Sequence, residues 1–254
     1  MALSSLDQLV EKLYPGCRSG RPSPADGTVA FYRRVVERLP VGATVLDFGA
    51  GRGAAFSEKR PIASDLVRLT PKVSRRIGVD VDPVVLQNPG LSEAHVLTQE
   101  NDYRIPLPDG SVDAVIADWV LEHLPDPLRS FVECRRVIKL GGLFGARTPN
   151  RWHYTSLVSR AVGSTRLGKK LLRIAQPQRR SDDIFETHYR ANSPRMLRRL
   201  LRSANFSQIE IVTHEPEPSY LMFSRATLVL GWAYGQIAQR GFLPRASLFA
   251  FAQP

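Results

Sequence analysis

The residues best suited to hold a ligand lie in the run Leu46-Asp47-Phe48-Gly49-Ala50-Gly51-Arg52-Gly53, where a carboxylate precedes alternating glycines. Residues without a side chain let the backbone approach a ligand closely and adopt turns that other residues avoid. An apolar run that ends in such a turn points to a nucleotide-like ligand at the carboxyl edge of an α/β sheet. Gly49, Gly51 and Ala54 also satisfy the dinucleotide pattern G-x-G-x-x-G/A. Two features argue against a dinucleotide. Asp47 would face the pyrophosphate with like charge, and the acid expected about 20 positions after the turn comes late, at Asp80. An acid ahead of the glycines favours a cationic ligand.

Asp80, in Gly78-Val79-Asp80-Val81-Asp82, ends the next strand, where its carboxylate can accept from both hydroxyls of a ribose. Asp82 precedes Pro83 and suits a helix cap, because proline favours the first helical position.

The elements needed to position these residues are legible as alternating apolar runs and helical spacings. Short amphipathic helices are predicted over Ser5 to Leu13, with Ser5 and Gln8 as a capping box, and from about Val29 to Leu39. Buried strands are predicted at Ala43 to Phe48, Arg76 to Val79, Ala94 to Leu97, Val112 to Ala117 and Leu143 to Ala146. A helix over Pro127 to Ile138 precedes the last of these. A helix at Pro194 to Ser203, a strand at Gln208 to Val212, an apolar helix at about Ser224 to Gln239 and a strand at Ser247 to Ala252 complete the pattern. Buried strands alternating with helices specify a mostly parallel sheet covered on both faces.

The chain of 254 residues divides on this reading into four parts. Residues 1–40 are helices that cover the fold, 41–148 the ligand-binding core, 149–192 a basic inserted lid or acceptor segment, and 193–254 the remainder of the fold with its extra apolar helix. Thirty-five Lys and Arg against 24 Asp and Glu give a net charge of +11, which implies attraction to phosphates, acidic glycans or an anionic membrane surface. Cys17 and Cys134 form neither a disulfide framework nor a metal-ligand spacing, so no metal is expected. The N-terminal stretch carries Asp7 and Glu11 and lacks the features of a signal peptide; with no apolar run of membrane-spanning length, a cytoplasmic location is expected.

Six blocks together resemble the type 11 family of class I S-adenosylmethionine-dependent methyltransferases: Leu46 to Gly53, Gly78 to Pro83, Ile105 to Asp113, Val120-Leu121-Glu122-His123, Arg136 to Gly142, and Thr148-Pro149-Asn150. Leu140 stands where members of that family usually carry proline. The resemblance implies a Rossmann-like fold with a seven-stranded sheet and S-adenosylmethionine as methyl donor. It places Gly49, Ala50 and Gly51 against that donor, Asp47 near its methionine end, and Asp80 with Val81 at the ribose. Asp102 and the Tyr103 backbone would meet the adenine, with Asn101 as the alternative in a shifted register. Asp118 and Trp119 would border the methionine moiety and the methyl group.

Methyl transfer from a sulfonium is an in-line displacement that needs proximity, alignment and exclusion of water. For an oxygen acceptor a base would help, and His188 and His153 are the candidates; His123 reads as architectural. Arg166, Lys169, Lys170, Arg173, Arg179 and Arg180 in the insertion, with the apolar helix near Trp232, suggest a small-molecule, glycan or lipid-linked acceptor of acidic character, handled at an anionic membrane surface. An RNA or protein substrate is the alternative, as is a binding protein without turnover. Against nucleic acid, the chain has neither an Asn/Asp-Pro-Pro-aromatic motif nor a recognised RNA-binding module.

Overall fold

The computed structural model describes residues 4–17, 23, 25–53, 61–69, 72–162 and 186–254. A single seven-stranded sheet runs β3-β2-β1-β4-β5-β7-β6. Its strands are β1 (Ala43–Phe48), β2 (Val73–Asp80), β3 (Glu93–Val96), β4 (Val112–Asp118), β5 (Ile138–Pro149), β6 (Ser207–His214) and β7 (Ser247–Gln253). The first five pair in parallel, whereas β7 is antiparallel to both β5 and β6. The order reverses beside β1, so the crevice where open α/β sheets take ligands falls between the ends of β1 and β4.

The helices are α1 (Ser5–Leu13), α2 (Gly27–Arg38), α3 (Pro61–Arg68), α4 (Pro127–Val137), α5 (Tyr154–Val162), α6 (Pro194–Ser203) and α7 (Arg225–Gln239). Capping fixes several starts. Asp26 accepts from the amides of Thr28 and Val29 ahead of α2, and Ser193 from Met196 ahead of α6. Asp82 caps the 3-10 turn Pro83–Gln87 through the Val84 amide, as its position before proline predicts. At α1 the cap is Ser4, which accepts from the Asp7 amide; the capping box expected at Ser5 and Gln8 is shifted by one residue.

Alternation along the strands sends side chains to two cores. Leu46, Phe48, Val115 and Phe144 pack with Phe131 of α4 and Leu197 of α6. Val45, Ala114, Ile116 and Leu143 pack with Phe31 and Val35 of α2. Phe144 meets Phe131 at 5.5 Å and Phe206 at 5.2 Å between ring centroids; complete burial of one such ring is worth about 1.5–3 kcal/mol. The same alternation aims Asp47, Arg76, Asp118 and Arg147 at the α2 face, where Tyr32 and Thr28 await them, and Thr148 at the other.

β2 and β5 extend beyond their predicted apolar runs. Val73 to Arg75 are exposed or half-buried, as are Lys139 to Gly142, so neither stretch carries the unbroken apolar signal of a buried strand. Most of the basic insertion, including Arg166, Lys169, Lys170, Arg173, Arg179 and Arg180, lies outside the described residues.

Candidate active site at the carboxyl edge of the sheet

The glycine turn leaves β1 with Gly49, Gly51 and Gly53 all in the left-handed region, at φ of 77°, 48° and 76°. A side chain at Gly49 would place Cβ 2.4 Å from Cγ2 of Val120, and one at Gly53 would meet Asn88 at 2.3 Å. The amides of Gly49 and Ala50 donate to the Val79 carbonyl. Asn88 holds the turn from the other side, its Nδ2 donating to the carbonyls of Ala50 and Gly51 at 3.1 and 3.2 Å. Sequence reading missed Asn88, since nothing local marks a loop asparagine as the staple of a turn 35 or more residues earlier.

Asp80 closes the turn. Oδ2 accepts from the Gly51 amide and Oδ1 from the Asp82 amide, each at 2.9 Å. A carboxylate offers about four lone-pair sites, so each oxygen keeps one for an outside donor. Two such sites, side by side at a strand end, suit the vicinal hydroxyls of a ribose. Val81, directly after Asp80, and Tyr103, in the loop after β3, are 54% and 44% exposed. The carboxylate of Asp102 pairs with Arg129, and the Tyr103 amide donates to the Thr98 carbonyl at 2.9 Å. Asn101 accepts from the Thr98 amide within the same turn.

Asp47 is buried, and its Oδ2 accepts from both Nε and Nη2 of Arg76, at 3.1 and 2.8 Å. Burial pushes the Asp47 carboxyl upward, and the charge of Arg76 opposes that push. The ion pair changes the argument drawn from the sequence: Arg76 neutralises the acid that was expected to repel a pyrophosphate, so Asp47 does not itself select a cation. Asp118 is held in the same manner. Arg147 donates to Oδ1 through Nε at 2.6 Å and to Oδ2 through Nη2 at 2.7 Å, and through Nη1 to Thr28 Oγ1 at 3.0 Å. The Tyr32 hydroxyl donates to Asp118 at 3.1 Å and is hydrogen bonded to Arg76, joining both ion pairs beneath the ligand edge. Burial, then the charges of Asp118 and Asp47, drive the Tyr32 hydroxyl well above its ordinary value. Both Asp47 and Asp118 thus support the rim from below.

Beyond β4 the backbone reverses at Trp119, at φ 59° with the ring 42% exposed and 5.1 Å from the Arg147 guanidinium. Val120 then packs on Gly49, and the 3-10 turn Leu121–His123 follows. Glu122 in that turn is 6% exposed. Its Oε2 accepts from Thr148 at 2.9 Å. Burial pushes its carboxyl up to about 7, against the lowering effect of bonds from its own amide and from Thr148. Sequence reading passed over Glu122; the signal available was an acid between two leucines, Leu121 and Leu124, in a turn that had to be buried.

The two candidate histidines sit apart. His188 adjoins this turn, its amide donating to the Glu122 carbonyl at 2.7 Å. His153 precedes α5, is 2% exposed and packs between Tyr154 and Tyr234, with Nε2 3.4 Å from Glu215. That is the β7–β6 side of the sheet. A cleft of about 410 Å3 between Lys139, Gly141 and Gln253 opens at the opposite rim, where β4 and β5 begin; it shares no residue with the glycine edge.

The glycine turn, Asp80 and the reversal after β4 all fall within residues 46–146, which match the methyltransferase domain family of type 11. This stretch is a type 11 methyltransferase domain. A probable S-adenosylmethionine-dependent methyltransferase of Mycolicibacterium smegmatis is 36% identical over 122 residues, 47% of this chain and 43% of that protein. A second, from Mycobacterium tuberculosis, is 34% identical over 121 residues, 47% of this chain and 40% of that one. The matched stretch therefore spans less than half the length of either relative. In fold the whole chain is similar to a SAM-dependent methyltransferase from Archaeoglobus fulgidus, with a TM-score of 0.56 at 19% identity over 99% of this chain and 100% of that one. S-Adenosylmethionine is the cofactor of this methyltransferase family, and the residues present fit it: a turn that tolerates no Cβ at Gly49 and a carboxylate with a spare acceptor site on each oxygen.

Proposed function

We propose that this chain transfers the methyl group of S-adenosylmethionine to an oxygen of a small-molecule, glycan or lipid-linked acceptor. One observation carries the donor half of the reading: Asp80, fastened to the glycine turn through the Gly51 amide, retains acceptor capacity on both oxygens. Asp80 would hold the ribose, Gly49 to Gly51 would line the donor, and the Trp119 ring would help exclude water from the displacement. The net charge of +11 supports an acidic acceptor. Contact with an anionic membrane surface is supported by Phe223, Leu230, Ile237 and Phe242, exposed on and beside α7, with Arg225 and Arg240 at its ends. Among the described residues no helix is long and apolar enough to cross a membrane.

The test is methyl-labelled S-adenosylmethionine incubated with the purified chain and fractionated extract. Label in the glycan or lipid fraction, lost in Asp80→Ala, is the expected result. Label confined to RNA or protein would overturn the acceptor class, and tight donor binding without label in any fraction would make the chain a binding protein.

A further inference from the structure

Glu122, Thr148 and Asn192 converge from three elements on the ground between the ends of β4 and β5. Asn192, wholly buried just ahead of α6, donates through Nδ2 to the Pro149 carbonyl at 3.0 Å and to Thr148 Oγ1 at 2.6 Å. A carbonyl can only accept, so the amide of Asn192 is oriented without ambiguity. Thr148 receives that bond and must direct its own hydrogen to Glu122 Oε2, 2.9 Å away. The chain of donors runs one way and ends on the carboxylate. The backbone around Glu122 is held too, because the amides of His188 and Tyr189 both donate to its carbonyl. Such a directed, buried arrangement holds the carboxylate in one orientation.

The turn that carries Glu122 adjoins the glycine edge. Val120 lies against Gly49 closely enough to exclude a Cβ, and Glu122 follows two residues later. The charged and titratable groups that face it are Asp118 of β4, Arg147 of β5, His123 on its own turn and Tyr189 ahead of α6. Arg147 is already committed to Asp118 through two bonds. His123 Nδ1 is 2.8 Å from the Glu186 carbonyl and carries the hydrogen of that bond, and its Nε2 lies 4.0 Å from Glu122 Oε1. The Glu122 side chain is 8% exposed, against 22% for that of His123.

We propose that Glu122 is the general base of the methyl transfer. The inference rests on the methyltransferase reading above. As the acceptor oxygen forms its bond to the methyl carbon, the carbon–sulfur bond breaks and its electron pair stays on sulfur. The hydroxyl proton passes to the Glu122 carboxylate. Thr148 and Asn192 are positioning residues, and neither His188 nor His153 is needed as base.

The acceptor is unidentified, so the test reads the charge of Glu122 through the donor alone. S-Adenosylmethionine carries a sulfonium and S-adenosylhomocysteine does not, while their ribose, adenine and amino-acid ends are shared. If Glu122 faces the reacting centre, its ionised form favours the former and its protonated form does not. Calorimetry of both ligands from about pH 6 to 8 should show their affinity ratio shifting about tenfold towards S-adenosylmethionine as pH rises, with no pH dependence in Glu122→Gln. Thr148→Val removes a donor to the carboxylate and should move the midpoint to higher pH. A flat ratio in the native chain, the same pH dependence in Glu122→Gln, or an unmoved midpoint in Thr148→Val would overturn the proposal. Failure of both ligands to bind at any pH would instead overturn the methyltransferase reading.

Discussion

Gly49→Val is expected to weaken S-adenosylhomocysteine binding about a hundredfold. Gly49 sits at φ 77°, a region that β-branched residues essentially never occupy, and its Cβ would fall 2.4 Å from Val120. Relief requires the turn or the segment after β4 to move by the order of an ångström, a displacement that costs about two orders of magnitude in a preorganised site. Val120 leads directly into Glu122, so transfer should fall further than binding. Calorimetry reports the affinity, and thermal unfolding confirms that the fold survives. A variant that binds with native affinity would show that the ligand does not touch this turn.

Arg147→Met is expected to cost about 3–5 kcal/mol of stability, because it strands Asp118 as a buried charge without its partner. Arg147 is 5% exposed and contributes two bonds to Asp118 and one to Thr28, over the ring of Phe31 at 5.5 Å. Adding Asp118→Asn removes the stranded charge and should recover a substantial part of the loss, a coupling that urea denaturation of the single and double variants measures directly. If the two single losses simply add, the pair does not act as a unit. The ion pair fixes the ends of β4 and β5 relative to α2, so both Trp119 and Thr148 depend on it for their positions.

What was legible in the sequence was whatever is written locally. The strand β1 has its predicted bounds because Ala43 to Phe48 is an apolar run closed by glycines, and Asp82 announces its cap through Pro83. The strand ends that carry polar residues, Val73 to Arg75 and Lys139 to Gly142, were illegible because a strand held by neighbours on an exposed margin needs no apolar signature. At the candidate site, the glycine turn and Asp80, which the Gly51 amide joins, were readable from residue type and spacing. The partners of Asp47 and Asp118 were not, since Arg76 and Arg147 lie 29 residues further along the chain in each case and meet them only when adjacent strands align. Asn88, Thr148 and Asn192 escaped for the same reason: their roles are set by the register of the folded sheet. Glu122 was hidden by its neighbour, as the histidine in Leu121-Glu122-His123 drew the argument while the burial that matters fell on the acid.

The central claim is that the edge formed by Gly49 to Gly51 and Asp80 holds S-adenosylmethionine by its ribose. Titration of the purified chain with S-adenosylhomocysteine, repeated with Asp80→Ala, tests it most directly. Saturable binding at a one-to-one ratio, weakened by about tenfold or more when the carboxylate that would bond the hydroxyls is removed, is the outcome expected. Native affinity in Asp80→Ala, or no heat of binding from the intact and folded chain, would contradict it.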